Sequence, residues 1–347
     1  MDKVLIAMSG GVDSSVAAYL LKHSGWDCVG ATMTLYRNED IGISRSRTCC
    51  SLEDVEDARS VAFRLRIPYY VFNFSDEFRC QVMDRLADAY GQGRTPNPCI
   101  DCNRYLKFRH LYDRAVLLGC DAIATGHYAR IERENGRYLL KKALDASKDQ
   151  SYVLYMLTQE QLAHTQFPLG ALRKAETRQL ADSLGFFNAR KPDSQDICFV
   201  PDGDYAAFIR RHTGKADTPG NFVDESGRIL GRHRGIAHYT IGQRKGLGIP
   251  SNRPLYVKAI DPKSNQVVLS GNDALFSQQL TGENFNWIAW EAPPRQFRCS
   301  ARIRYRQTEQ PCTVTVTAEG RAEVCFDMPQ RAITPGQAVV FYEGDTV

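Results

Sequence analysis

The sequence predicts an α/β domain built on a doubly wound parallel sheet, followed by a β-rich second half. Three observations carry this. Short apolar runs at residues 3–8, 28–34, 69–74 and 121–125 alternate with helix-period segments, the pattern of a parallel sheet covered on both faces. Past about Val200 the texture changes: Gly and Pro become frequent and short strand-like runs replace the helical period. A glycine-rich turn, Ser9-Gly10-Gly11, joins the first strand directly to the first helix.

Taken in order, residues 3–8 read as a strand and 12–22 as a helix with Val16, Tyr19 and Leu20 on its apolar face. Residues 28–34 form the next strand. Ser51-Leu52-Glu53-Asp54 reads as a capping box opening a helix whose inner face carries Val55, Ala58, Ala62 and Leu65. Ile67-Pro68 ends it, and 69–74 is the third strand. Helices follow around 77–90 and 104–118, the second closed by Gly119. Residues 121–125 are another buried strand, Asn135-Gly136 marks a hairpin, and helical pattern resumes from Ser151 to about Leu184. Beyond Val200, residues 255–260, 266–269, 286–290, 298–305, 313–317 and 338–342 read as strands. The expected division is 1–200 for the nucleotide-binding α/β unit, 201–269 for a small central β-rich unit and 270–347 for a β-barrel.

With 347 residues, 43% hydrophobic and 24% charged, the composition is that of an ordinary globular chain. No apolar run approaches the ~18–20 residues of a membrane span. The apolar stretch Val4 to Met8 is too short for a signal peptide, so a cytoplasmic location without membrane contact is expected. A net charge of +4 permits a polyanionic partner and requires any basic surface to be local. Eleven cysteines, an odd number, argue against a disulfide framework and for thiols with chemical roles.

The turn at Ser9-Gly10-Gly11-Val12-Asp13-Ser14-Ser15 follows a strand and opens a helix. Glycines admit a ligand close to the backbone, and unpaired N–H groups with the positive end of the helix favour an anion. Ser9, Ser14 and Ser15 add hydroxyls, while Asp13 beside a phosphate implies a cap or a Mg²⁺ ligand. The turn lacks the Gly-Lys-Ser/Thr of a Walker loop and the spacing of a dinucleotide fingerprint. Met33, at the end of the second strand, and Gly126, after the strand 121–125, stand where such a sheet would hold a base; both also suit plain packing.

Two cysteines stand out. Cys102 follows the proline-rigid run Arg94-Thr95-Pro96-Asn97-Pro98-Cys99 and is expected at a helix N-terminus, where a thiol's pKa falls. Cys198 ends the polar run Ser194-Gln195-Asp196-Ile197. Two thiols suffice for sulfur transfer, one carrying a persulfide and one resolving it. Cys99 adds a third, and three thiolates also suit a 4Fe–4S cluster with one open iron. A zinc site that includes Cys49-Cys50 is disfavoured, because vicinal cysteines rarely chelate one tetrahedral ion. Cys28, Cys80, Cys120, Cys299, Cys312 and Cys325 lie in apolar patterns and read as small hydrophobes.

The Ser9–Ser15 turn resembles the PP-loop of the ATP pyrophosphatase superfamily. Cys49-Cys50-Ser51, Thr95-Pro96-Asn97-Pro98 with Cys102-Asn103, Thr125-Gly126-His127-Tyr128 and Lys148-Asp149-Gln150-Ser151-Tyr152 follow it in that order. Ser194 to Phe199, the glycine-flanked basic run 239–248 and Arg302-Ile303-Arg304-Tyr305-Arg306 complete the series. The whole chain resembles the bacterial tRNA-specific 2-thiouridylases. That resemblance implies ATP-dependent thiolation of the wobble uridine of lysine, glutamate and glutamine tRNAs, with Mg²⁺ as cofactor. It implies ATP contacts at Ala7, Met8, Ser9, Gly10, Gly11, Val12, Asp13, Ser14, Met33 and Gly126, with Asp13 also in the catalytic set. It makes Cys198 the persulfide cysteine and Cys102 the nucleophile. It places tRNA at Asn97, Pro98, Cys99, Lys148, Asp149, Gln150, Arg304 and Tyr305. The sulfur donor would be a cysteine desulfurase or a relay carrier.

Arg302, Arg304 and Arg306 alternate with Ala301, Ile303 and Tyr305, which predicts a strand with one basic face suited to RNA or simply to water. His127 and Tyr128 either line the site or pack. The rival readings are another PP-loop enzyme, either an amidating synthetase or a cytidine-type thiolase, and a non-catalytic RNA-binding module. An amidating synthetase needs a glutaminase unit for which there is no room. A cytidine thiolase leaves the β-rich third unexplained, and a binding module has no use for the intact loop and both thiols.

Overall fold

The computed structural model describes residues 2–37, 41, 52–193, 197–317 and 320–347. The capping-box serine Ser51, the pair Cys49-Cys50 and the run Ser194-Gln195-Asp196 lie outside them.

The N-terminal sheet is five-stranded with order β3-β2-β1-β4-β7. Its strands are β1 (Lys3–Ala7), β2 (Asp27–Thr34), β3 (Tyr69–Asn73), β4 (Ala122–Ala124) and β7 (Thr165–Gln166). Every pairing is parallel. Parallel strands are covered on both faces and so read as continuous apolar runs; Val4, Leu5 and Ile6 are all 0% exposed. Leu5 faces one core, with Val29, Ala31 and Met33, while Val4 and Ile6 face the other, with α1 (Val12–His23) and α2 (Leu52–Leu65). Between β4 and β7 the hairpin β5 (Ala129–Glu134) and β6 (Arg137–Lys142) turns at Asn135 and Gly136, both at positive φ, as a type I′ turn requires.

The helices expected around 77–90 and 104–118 begin earlier and include π-helical stretches, Arg79–Met83 and Cys102–His110. The helical pattern from Ser151 to Leu184 is broken. Thr158 and Gln161 form a capping box for a separate helix, Gln159–Ala163, and Thr165–Gln166 joins the sheet beside Ile123 and Ala124. Gly170 passes so close to β5 that a Cβ there would lie 1.9 Å from the Ala129 carbonyl. Helix returns only at α3 (Lys174–Ser183).

The absence of helix after Val200 is corrected by α4 (Tyr205–Thr213), capped by Asp204 and closed by Gly214 at φ 67°. The middle sheet has order β10-β11-β8-β9. It comprises β8 (Gly220–Val223), β9 (Ile229–His233), β10 (Tyr256–Asp261) and β11 (Gln266–Ser270), around Phe222, Tyr239, Val257 and Val267. The C-terminal sheet is antiparallel with order β12-β15-β14-β13-β16. Its strands are β12 (Phe276–Glu283), β13 (Gln296–Arg302), β14 (Gln310–Val316), β15 (Arg321–Arg331) and β16 (Val340–Tyr342).

Two strand expectations fail here. Residues 286–290 are irregular because their backbone acceptors are taken by side chains. Arg137 donates to the Ile288 and Trp290 carbonyls at 3.1 and 3.2 Å, and Gln159 donates to Ile288 at 3.0 Å. The basic strand 298–305 ends at Arg302, and Arg304 to Arg306 lie in a turn. Among the described residues no helix is long and apolar enough to cross a membrane.

Candidate active site

Ligands of open parallel sheets bind beyond the carboxyl ends of the strands, and three segments meet there: the loop after β1, the loop after β4, and the end of the 173–193 region. The loop after β1 is held from within. The Ser14 and Ser15 hydroxyls donate to the Gly11 carbonyl at 3.1 and 3.0 Å, and the Ser9 N–H donates to Ser14 Oγ at 3.1 Å. These serines thus shape the turn from within. Gly10 sits at φ 73°, and a Cβ there would lie 2.4 Å from the Asp54 carbonyl. Gly11 caps α1 without a side-chain bond, which leaves the N–H groups of the first turn open for an anion. Met8 and Val12 are buried and anchor the loop below.

The second wall follows β4. A Cβ on Gly126 would lie 2.8 Å from the Ser14 amide nitrogen, so a glycine is needed for the two loops to touch. Met33 is buried in the core, where it packs. His127 is buried, its Nδ1 2.7 Å from Thr125 Oγ1. Burial, reinforced by the Lys107 ammonium, holds it well below its ordinary value, as a neutral ring. Tyr128 donates from its hydroxyl to Asp13 Oδ1 at 2.9 Å.

Sequence reasoning missed the third wall. Lys174, the first residue of α3, places Nζ 2.7 Å from both Asp13 oxygens and 2.8 Å from Asp193 Oδ1. Asp193 also binds Lys148 at 2.8 Å and Arg178 at 2.7 Å. Burial pushes its carboxyl up, but Lys148 and Lys174 outweigh that and lower it to about 2. Asn188, 2% exposed, donates to the Gly10 carbonyl at 3.0 Å and to Ser15 Oγ at 2.9 Å, bracing the loop. No local pattern marks these residues; the nearest signal is the polar run 190–196 before Cys198.

The helix expected to start at Cys102 starts at Pro98 instead, with Asn97 capping the Cys99 N–H at 3.0 Å. Cys99, exposed, therefore occupies the first turn, and Cys102 lies a turn further in. Cys102, Cys198 and Tyr305 pack against one core cluster, and the Tyr36 hydroxyl donates to the Cys198 carbonyl at 2.8 Å. The Tyr305 phenol is raised, first by burial, then by Asp149 and Cys99 nearby, against a hydrogen bond from Gln150. Cys99, Cys102 and Cys198 do not gather into a ligand set: among the described residues no group of three or more His, Cys, Asp or Glu is placed to hold a metal.

Of the other expected RNA contacts, Asp149 is turned inward. Its side chain is 1% exposed and accepts from Arg302 at 2.9 Å. Arg304 donates to the Ala332 carbonyl at 2.7 Å and to Thr334 Oγ1 at 2.8 Å. Between the 85–104 region and the C-terminal sheet lies a cleft of about 1010 Å³, with Arg85, Arg94, Asn97, Arg104, Trp287 and Arg298 on its walls.

Comparison with known proteins fits this arrangement. Residues 2–202 match the family model described as the tRNA methyl transferase HUP domain, 206–271 its PRC-barrel domain, and 277–347 the aminomethyltransferase β-barrel domain. The chain is 52% identical to the tRNA-specific 2-thiouridylase MnmA of Lachnoclostridium phytofermentans, covering 100% of this chain and 98% of that protein. It is 49% identical to the protein of that name from Clostridioides difficile, covering 99% and 96%. Among solved structures, a 4-thiouridine synthetase–RNA complex with bound ATP shows only slight likeness. Its TM-score is 0.39 at 22% identity, over 58% of this chain and 45% of that one. On the full-length identity and the family models, the chain belongs to the tRNA-specific 2-thiouridylase family.

Proposed function

We propose that this protein is an ATP-dependent tRNA sulfurtransferase that converts the wobble uridine of lysine, glutamate and glutamine tRNAs to 2-thiouridine, releasing AMP and pyrophosphate. The observation that carries the reading is the open first turn of α1 behind Gly10 and Gly11, in a chain whose Cys102 and Cys198 pack against one core cluster with Tyr36, just past β2. In this reading residues 1–200 bind ATP and hold the thiols, 201–269 form the central unit, and 270–347 face the tRNA in the cytoplasm.

The first-turn N–H groups and Ser9 receive the polyphosphate. Mg²⁺, when bound, would neutralise phosphate charge, held by the nucleotide's own phosphates and by Asp13, whose oxygens here pair with Lys174. Uridine O2 attacks the α-phosphorus, pyrophosphate leaves, and C2 now bears AMP as a leaving group. The terminal sulfur of a Cys198 persulfide attacks C2 and expels AMP. The Cys102 thiolate then attacks Cys198 Sγ, releasing the thiouridine sulfur with its electron pair and leaving a Cys102–Cys198 disulfide, which an external thiol reduces. The alternative route releases the sulfur first, as hydrosulfide, with the same disulfide product. A cysteine desulfurase or a relay carrier recharges Cys198. Asn97, Pro98, Cys99, Gln150 and Tyr305 border the target base, with Lys148, Asp149 and Arg304 behind them; the arginine-walled cleft suits phosphates and stacked loop bases.

The test is anaerobic assay of purified protein with ATP, Mg²⁺, unmodified lysine tRNA, a thiol reductant and a persulfide donor (a cysteine desulfurase with cysteine), reading 2-thiouridine by mass spectrometry. Metal-free protein should form product, Cys99→Ser should retain activity, and Cys102→Ser and Cys198→Ser should each lose it. Activity that tracks iron and disappears in all three variants would overturn the persulfide scheme. ATP binding without thiolation would point to a different adenylation chemistry.

A further inference from the structure

Outside the sulfur-transfer site, a second pair of thiols stands face to face. Cys299 on β13 and Cys312 on β14 are direct partners in the antiparallel ladder, with sulfurs 3.6 Å apart. Residues directly opposite in such a ladder have Cα atoms about 4.5–5.5 Å apart, inside the ~4.4–6.8 Å range that a disulfide spans. The flanking register, Arg298 with Thr313 and Ser300 with Pro311, is continuous, so closing the bond requires no change of pairing.

We propose that Cys299 and Cys312 form a reversible cross-strand disulfide, a redox modification site for small-molecule disulfides that is separate from sulfur transfer. Access is one-sided. Cys312 is 0% exposed, whereas Cys299 is only partly buried and lines the cleft between the 85–104 region and the C-terminal sheet. Across their contact Cys299 holds its proton, its thiol pushed far up by the hydrogen bond to Cys312 and by burial, and the same hydrogen bond pulls Cys312 below its ordinary value. As the Cys299 sulfur, the one with access, attacks a disulfide RSSR, its proton passes to the Cys312 thiolate and one RS⁻ leaves, taking up a proton as RSH. The Cys312 sulfur, losing its proton, then attacks Cys299 Sγ and expels the second RS⁻. The sum is two thiols oxidised and one RSSR reduced to two RSH. Cys325, on the next strand, pairs with Thr313 rather than with Cys312 and is exposed, so it is not the resolving thiol.

The full-length reduced protein is incubated with oxidised glutathione, alkylated and digested with trypsin. The expected product joins peptide 299–302 to peptide 307–321 with a loss of about 2 Da, reverts on adding dithiothreitol, and leaves peptide 322–331 alkylated. Cys312→Ser should instead trap a glutathione adduct of about +305 Da on Cys299, and Cys299→Ser should leave Cys312 reduced. Recovery of both wild-type peptides in linear alkylated form would overturn the proposal, as would a stable wild-type adduct on Cys299 that never closes. Neither readout uses thiolation activity, so the result stands apart from the proposed function.

Discussion

The Lys174 ammonium lies 2.7 Å from each oxygen of Asp13, a pairing across the mouth of the phosphate loop by residues 161 positions apart. The pair is shielded, with Lys174 only 10% exposed. Removing the lysine leaves a carboxylate facing the polyphosphate. Lys174→Met should therefore weaken ATP binding at least tenfold, about 1.4 kcal/mol, in calorimetric titration. Asp13→Asn frees the ammonium for phosphate and should bind ATP without that loss while losing turnover. Equal loss in both variants would mean that the pair only holds the loop's shape.

Gly126 and Gly10 are limited by space. The Cβ of Gly126→Ala would press on the Ser14 amide, and that of Gly10→Ala on the Asp54 carbonyl, at a left-handed φ that penalises side chains. Each should lose about 1–3 kcal/mol. For a chain of this size that lowers the melting midpoint by about 2–10 °C, with ATP binding lost in parallel; scanning calorimetry with and without ATP reads both.

His127 gives an acid-sensitive stability. Its folded-state value lies well below 6.5, so below pH 6.5 the unfolded chain binds the extra proton, and stability falls as pH decreases towards the folded value. Asp193, lowered to about 2, acts further down: its contribution is present above about pH 4 and is lost as pH falls through 2. Urea midpoints should therefore decline from pH 6.5 to 5, and His127→Asn should flatten that segment while leaving the slope below pH 4. An unchanged slope in the variant would assign the decline elsewhere.

Arg302 pairs with Asp149 at 2.9 Å and Glu309 at 2.7 Å. Arg302→Met strands the Asp149 carboxylate, 1% exposed, and should cost about 3–5 kcal/mol in urea unfolding. Adding Asp149→Asn should recover part of this, because the amide keeps the acceptor for the Ala143 and Ser151 N–H groups. Additive losses would show that the two side chains act independently.

What could be read from sequence was whatever is local. The Ser9–Ser15 turn, the apolar strands and the Asn135-Gly136 turn each declare themselves within a few residues. The partners of that turn could not be read. Lys174, Asn188 and Asp193 reach it through tertiary folding alone, and nothing in their neighbourhood distinguishes them from surface residues. The same physics explains the errors. Residues 286–290 alternate like a strand, yet Arg137 and Gln159 from the hairpin region take the carbonyls that a ladder would use. Cys102 follows a proline run that suggested a helix start, but Pro98 is itself favoured in the first helical turn and Asn97 caps it. The short helix Tyr205–Thr213 buries little beyond Ala206 and Phe208, too few positions for a period to emerge.

The seam between the N- and C-terminal sheets is built like an interior. The Thr95 N–H bonds the Pro335 carbonyl at 2.9 Å, Lys142 bonds Asp345 at 2.7 Å, and Val347 bonds Leu140 at 2.8 Å. Ile288, Val340 and Tyr342 belong to the same apolar cluster as Leu5 and Tyr152. A sequence that divides into modules therefore does not divide in its thermodynamics. These two sheets should melt as one cooperative unit, with calorimetric and van't Hoff enthalpies in agreement for that transition. For anyone exchanging barrels between relatives, the unit of exchange is the seam: a transplanted barrel must bring the surface against Leu140 and Thr95 as well as its own core.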